Sequence, residues 1–204
     1  MLVTKIENKT STKFKVYLDG QFAFVLKKSE LFRYRIKENE QLSECDYEEI
    51  RNEIIKKRAK LRALQLLTDM DRTKDQLCKK LRDDGYQEDI IDETIGYVES
   101  FGYVNDFNFA KNFIESKKNK KSKKEMYSLL KAKGLSSEMI ENAMEECYSN
   151  EDTVQAIEQF LRKKRFRPEN MSEKELQKIY SALARKGFHY EDIRHVIQVS
   201  EWNA

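Results

Sequence analysis

FGYVNDFNFA, residues 101–110, sets three phenylalanines and a tyrosine around an Asn-Asp pair, in a chain where 37% of residues are charged. Gly102 suits the end of a helix, where a left-handed residue closes the last turn. Asn105 or Asp106 suits the start of the next helix, accepting hydrogen bonds from its free N–H groups. With Asn105 as the cap, Val104 and Phe109 take the hydrophobic-staple positions. The stretch therefore reads as a joint between two helical units, with Phe101, Tyr103, Phe109 and Phe113 welding them together.

Outward from this joint the chain repeats. Gly85-Tyr86, Gly134-Leu135 and Gly187-Phe188 align, at spacings of 49 and 53 residues. Eight residues before each glycine stand Leu77, Met126 and Ile179; four before stand Leu81, Leu130 and Leu183. Six after stand Ile91, Ile140 and Ile193; ten after stand Ile95, Met144 and Ile197. Each copy reads as helix, turn, helix, glycine C-cap, helix. Thr73 with Gln76, Ser122 with Glu125 and Ser172 with Glu175 are capping boxes that open the middle helices.

Residues 12–27, TKFKVYLDGQFAFVLK, carry a hairpin signal, with Asp19-Gly20 supplying the two positive-φ positions of a type I′ turn. That turn sets Tyr17 opposite Phe22 and Val16 opposite Ala23, and residues 2–7 can add a third strand. Tyr17, Phe22 and Phe24 would share a face with Lys13 and Lys15, either as a stacking platform or, as favoured here, as cover for the next helix. Ser29 can cap a short helix through Ile36. A long helix spans about 46–70, with Ile50, Ile54, Leu61, Leu64 and Leu67 as its apolar stripe. The expected fold is mainly α: an elongated array of three tandem three-helix repeats behind a small N-terminal β-hairpin module. The expected boundaries are 1–45 for the module and 46–104, 105–149 and 150–204 for the repeats.

A hydrophobic share of 39%, one proline and six glycines suit several small helical cores better than one large one. Cys45, Cys78 and Cys147 are an odd number with no CxxC spacing, which fits reduced thiols in a cytoplasmic protein. No signal peptide and no membrane-spanning apolar run is visible. Neither a Walker-type loop nor G-x-G-x-x-G occurs, and His189 and His195, six residues apart in the last helix, fit solvent-facing side chains better than metal ligands. The expectation is a monomer with no cofactor, metal or catalytic residues.

Basic residues cluster instead. KKNKKSKK holds Lys117, Lys118, Lys120, Lys121, Lys123 and Lys124; RKKRFR holds Arg162, Lys163, Lys164, Arg165 and Arg167. Both occupy the corner between the first and middle helices of a repeat. The matching corner of repeat one, DMDRTK, is mixed in sign, and its Arg72 and Lys74 complete the candidate partner- or DNA-binding set. A further run, Lys56 to Arg62, lies on the long helix. Acidic residues gather on a third helix as Glu138, Glu141, Glu145 and Glu146. A basic stripe of this kind suits a phosphate backbone or an acidic protein groove.

The chain resembles the RecX family, regulators of the RecA recombinase. GYVNDFNFA, Gly102 to Ala110, matches the family form G-Y/F-hydrophobic-D/N-D-x-x-F-A, and Gly102, Tyr103, Asn105, Asp106, Phe109 and Ala110 are its structural motif here. RTKDQLCKKL, Arg72 to Leu81, matches a second motif, with Gln76 where the family usually has Glu. The resemblance covers roughly residues 59–200, and the N-terminal hairpin is similar to the extension of Gram-positive members. It implies a non-enzymatic regulator that binds along the RecA filament on single-stranded DNA and inhibits its ATPase, strand exchange and coprotease activities, with at most a weak direct contact to DNA. Two rivals are a helical protein acting directly on nucleic acid and a generic α-solenoid scaffold. A base-reading protein would carry Arg, Asn or Gln on its middle or third helices, where this sequence is read as acidic.

Overall fold

The computed structural model describes residues 1–167 and 171–202. The chain divides into two compact units, residues 1–105 and 106–204.

The first unit opens with an antiparallel sheet of order β1-β2-β3: β1 Val3–Asn8, β2 Lys13–Leu18 and β3 Gln21–Lys27. Asp19 and Gly20 take φ of 48° and 83°, the two left-handed positions that a tight hairpin of the right twist requires. Tyr17 pairs with Phe22 as the turn dictates, but Val16 pairs with Phe24 rather than Ala23, because a bulge inserts one extra residue in β3. The bulge turns Phe24 onto the core face, where its ring lies 6.0 Å from that of Tyr47. The three-ring face is thereby reduced to the Tyr17–Phe22 edge pair, and Phe24 covers the following helix.

Helix α1, Lys28–Arg33, starts one residue before Ser29, because Glu30 and not Ser29 closes its first turn by accepting from the Lys27 N–H at 2.7 Å. Ser43 caps α2, Glu44–Glu49, which runs through a π-helical segment, Ile50–Lys56, into α3, Lys57–Asp69. The π segment re-phases the helix. Buried positions follow as Ile50, Ile55, Ala59, Ala63 and Leu66, the first step being five residues instead of three or four. A regular 3.6-residue stripe fails here: Leu61, placed in the core by that period, is 62% exposed. Helices α4, Lys74–Asp84, and α5, Glu88–Ser100, complete the first repeat around Leu77, Leu81, Ile91, Ile95 and Val98.

The second unit holds α6 Asp106–Lys117, α7 Lys123–Lys131, α8 Ser137–Cys147, α9 Asn150–Lys163, α10 Glu173–Arg185 and α11 Tyr190–Trp202. Helices α6–α8 and α9–α11 enclose separate apolar cores. All twelve apolar residues in the four aligned columns are buried, each contributing about 1.5–3 kcal/mol of transfer free energy. Gly85, Gly134 and Gly187 take φ of 92°, 89° and 91°. The following N–H reaches back five residues in each copy, from Tyr86 to Leu81, Leu135 to Leu130 and Phe188 to Leu183. This is the Schellman closure that the glycine spacing predicts. Among the described residues no helix is long and apolar enough to cross a membrane.

Candidate partner-binding surface

Charge is distributed unequally. Residues 1–105 carry 20 basic and 20 acidic side chains, whereas residues 106–204 carry 19 and 16, so the whole net charge of +3 falls in the second unit. In the first unit four of the five cations of the basic run on the long helix are in ion pairs, and the fifth, Lys60, lies over the Tyr97 ring. Lys56 pairs with Glu93 at 2.8 Å, Lys57 with Glu53, Arg58 with Glu30, and Arg62 with Asp84 at 2.6 Å. The corner of repeat one is occupied too. Arg72 donates to the Leu66 carbonyl at the end of α3, and Lys74 pairs with Glu99 at 3.0 Å. Neither belongs to an open basic surface.

The corner of repeat two, between α6 and α7, is divided. Lys118 is half-buried, pairs with Glu115 at 3.0 Å and Asp152 at 3.7 Å, and donates to the Cys147 carbonyl. The bond to Glu115 outweighs burial and raises its pKa. Lys121 pairs with Glu125. That contact explains why the expected capping box is incomplete: Ser122 still accepts from the Glu125 N–H, while the Glu125 carboxylate turns to Lys121. Lys117, Lys120, Lys123 and Lys124 are exposed and outside any ion pair among the described residues. At the corner of repeat three, Arg162 pairs with Glu158 at 2.9 Å, whereas Lys163, Lys164, Arg165 and Arg167 are exposed and outside any ion pair among the described residues.

Inside the second unit these corners are linked through α10. Ser122 Oγ donates to the Lys186 carbonyl at 2.5 Å, and the Lys124 side chain lies so close to Gly187 that a Cβ there would sit 2.8 Å from Lys124 Cβ. The corner of repeat two therefore abuts the C-terminal end of α10, while the corner of repeat three leads into its N-terminal end. The 13 residues of α10 span about 20 Å between them. Its outer face carries Lys174, Lys178 and Arg185, all exposed. Glu173 and Glu175 are exposed in its first turn, so the solvent side of the middle helix of repeat three is mixed in sign, with the acids read from the sequence at its start and cations along one stripe. Glu138, Glu141, Glu145 and Glu146 are exposed on α8, with Glu146 held by Lys111 at 2.6 Å.

The aromatic motif resolves into two sets. In the first unit Gly102, at φ 71°, accepts the chain turn that lets the Tyr103 N–H reach the Val98 carbonyl at 3.0 Å. Phe101 lies 5.0 Å from Tyr97 edge-on and stacks 5.7 Å from Tyr103, yet Phe101 is 58% and Tyr103 56% exposed. These two rings form a surface stack instead of buried mortar. In the second unit Asn105 immediately precedes α6, Asp106 is its first residue, and Ala110 is buried in the core of repeat two. Phe109 and Phe113 stack at 6.4 Å against that same core.

Cys45 is exposed, Cys78 half-buried and Cys147 buried, all as free thiols. His189 and His195 are exposed, with His189 just ahead of α11. No group of three potential metal ligands occurs among the described residues.

Comparison with known proteins places this arrangement. The family models for the first and third three-helix domains of RecX match residues 59–97 and 150–197. The chain is 33% identical over 203 residues to a regulatory protein RecX of Caldanaerobacter subterraneus subsp. tengcongensis, covering 98% of this chain and 100% of the relative. It is 27% identical over 202 residues to a regulatory protein RecX of Clostridioides difficile, covering 96% and 94%. A crystal structure of a regulatory protein RecX superposes with a TM-score of 0.62 at 22% identity over 97% of this chain and 98% of the other. A RecX structure from Lactobacillus salivarius gives 0.61 at 25% identity, over 72% and 97%.

Proposed function

Because the chain belongs to the RecX family of regulatory proteins, we propose that it is an inhibitory regulator of a RecA recombinase. It binds along the RecA filament on single-stranded DNA and lowers the filament's ATPase, strand-exchange and coprotease activities. The observation that supports this reading is that the whole net positive charge falls in the second unit, where exposed cations outside any ion pair among the described residues cluster at the corners of repeats two and three. A protein–DNA filament is a strongly anionic partner, and exposed cations without internal acids are free to meet it.

The test is the single-stranded-DNA-dependent ATPase of RecA with increasing amounts of this protein. The rate falls as the protein is added, and a variant with Lys120→Glu, Lys123→Glu, Lys163→Glu and Lys164→Glu restores it. An unchanged rate at several-fold excess over RecA overturns the reading.

A further inference from the structure

Lys13 and Lys27 are register partners across β2 and β3, so two cationic side chains stand directly opposite each other on one face of the sheet. Like charges in that position destabilise a sheet. Both side chains are exposed, and neither is in an ion pair among the described residues. Lys9, just past the end of β1, feels the same field: burial and the repulsion of Lys13 and Lys15 outweigh the attraction of Asp84 and lower its pKa.

The two lysines line a cleft of about 490 Å³ within the first unit. Val25 of the sheet, Leu61 of α3 and Tyr86 after α4 give it an apolar wall. Asp84 lines it too, but Arg62 already holds that carboxylate at 2.6 Å. Leu61 is there because of the π segment. The five-residue step from Ile50 to Ile55 carries the buried stripe on to Ala59 and Ala63 and leaves Leu61 outside the core, 62% exposed. Such π segments are rare and recur at functional sites. A leucine turned out of the core beside two unpaired cations is an amphipathic surface.

Lys13, Lys27 and Leu61 are all exposed, which sets the cationic and the apolar elements at the rim, within reach of a chain lying across it. A small molecule would need walls that enclose about 70–90% of its surface. Cations beside a leucine are complemented by carboxylates beside an apolar side chain.

We infer that this cleft binds an extended acidic peptide segment of a protein partner, with one apolar side chain against Leu61, Val25 and Tyr86 and flanking carboxylates on Lys13 and Lys27. The opposed lysines then cost the free protein some stability that the bound carboxylates restore. Every residue involved lies in the first unit, which carries no net charge, so the cleft is independent of the basic corners and of the regulatory reading.

The experiment titrates a synthetic peptide, Gly-Glu-Asp-Leu-Asp-Glu-Gly, into the isotope-labelled full chain and follows the amide NMR shifts. The shifts cluster at Lys13, Lys27, Leu61 and Tyr86. Lys13→Gln with Lys27→Gln weakens binding about tenfold by removing two ion pairs, and raises the melting temperature of the free protein by removing the opposed charges. Leu61→Ser, at an exposed position, weakens binding about tenfold with the fold unchanged, as does serine in place of the peptide's leucine. Lys79→Gln with Lys80→Gln on α4 leaves binding unaltered. No shifts at millimolar peptide overturn the inference, and so do shifts confined to the second unit. Equal binding of the leucine and serine peptides overturns it as well, because charge alone would then explain the contact. A single-stranded oligonucleotide that moves the same amides at lower concentration than the peptide also overturns it. None of these outcomes depends on the effect of the protein on RecA ATPase, so either reading can fail alone.

Discussion

Ser122 Oγ accepts the Glu125 N–H at 3.1 Å and donates to the Lys186 carbonyl at 2.5 Å, so one hydroxyl caps the middle helix of repeat two and ties it to repeat three. Ser172, the matching residue of repeat three, caps its own helix with its side chain exposed. Losing a cap costs about 1 kcal/mol, and leaving a shielded carbonyl without its donor adds about 1 more. Urea denaturation should therefore show Ser122→Ala destabilised by about 2 kcal/mol and Ser172→Ala by about 1.

Gly187 and Gly102 share a left-handed backbone but not surroundings. A Cβ at Gly187 meets Lys124 Cβ at 2.8 Å, while one at Gly102 meets nothing within 4 Å. Alanine at Gly102 should cost about 1–2 kcal/mol from backbone strain alone. Alanine at Gly187 adds steric displacement of α7 and should cost about 2–4 kcal/mol. Equal losses by thermal denaturation would show that α7 yields freely.

Phe109 is half-buried against the core of repeat two, and Phe101 is mostly exposed. Phe109→Ala should cost about 2 kcal/mol, below the loss expected of a fully buried ring, and Phe101→Ala should stay within about 0.5 kcal/mol. A larger loss at Phe101 would give the surface stack a structural role.

Hydrogen bonds from the Ser172 backbone and hydroxyl hold the Glu175 carboxyl below the usual carboxylate range. Its folded pKa is depressed, so its stabilisation is present above the ordinary value near pH 4.3 and is lost as pH falls through the lower folded pKa. Titration of the Glu175 side-chain carbons by NMR should show the low midpoint, and Ser172→Ala should return it toward the ordinary value.

Lys118 and Lys120 are neighbours with different roles. Lys118→Ala removes an ion pair to Asp152 at the start of α9 and a bond to the Cys147 carbonyl at the end of α8, together with a local pair to Glu115 of α6, and should lower the melting temperature. Lys120→Ala should leave melting unchanged and weaken only association with filaments, measured by co-sedimentation.

The repeat was legible because burial and backbone act on the same residues in every copy. Leu81, Leu130 and Leu183 must be apolar, and the glycines four positions later must turn left-handed. The π segment was not legible, because Ile50, Ile54 and Ile55 satisfy both a four-residue and a five-residue step, and only packing on the sheet selects the second. The bulge that moves Phe24 was hidden likewise, since register depends on the partner strand and not on β3 alone. Contiguous lysines at residues 117–124 announce themselves, yet two of the six are held by internal acids: Lys121 by Glu125 one turn on, and Lys118 by Glu115 and by Asp152, which is distant in sequence. Lys174, Lys178 and Arg185 were invisible for the opposite reason: the helical period scatters one face among core residues.

Two of the aligned glycine turns are completed by groups from the module that precedes them. The Lys9 ammonium, from the sheet, donates to the Asp83 and Asp84 carbonyls at the end of α4, and Ser122, from repeat two, does the same at the end of α10. In both cases the donor lies upstream in the chain. A ribosome delivers the N-terminus first, so each donor has emerged before the helix end it serves. Deleting repeat two should therefore impair the closing turn of repeat three, whereas deleting repeat three leaves repeat two's own caps intact.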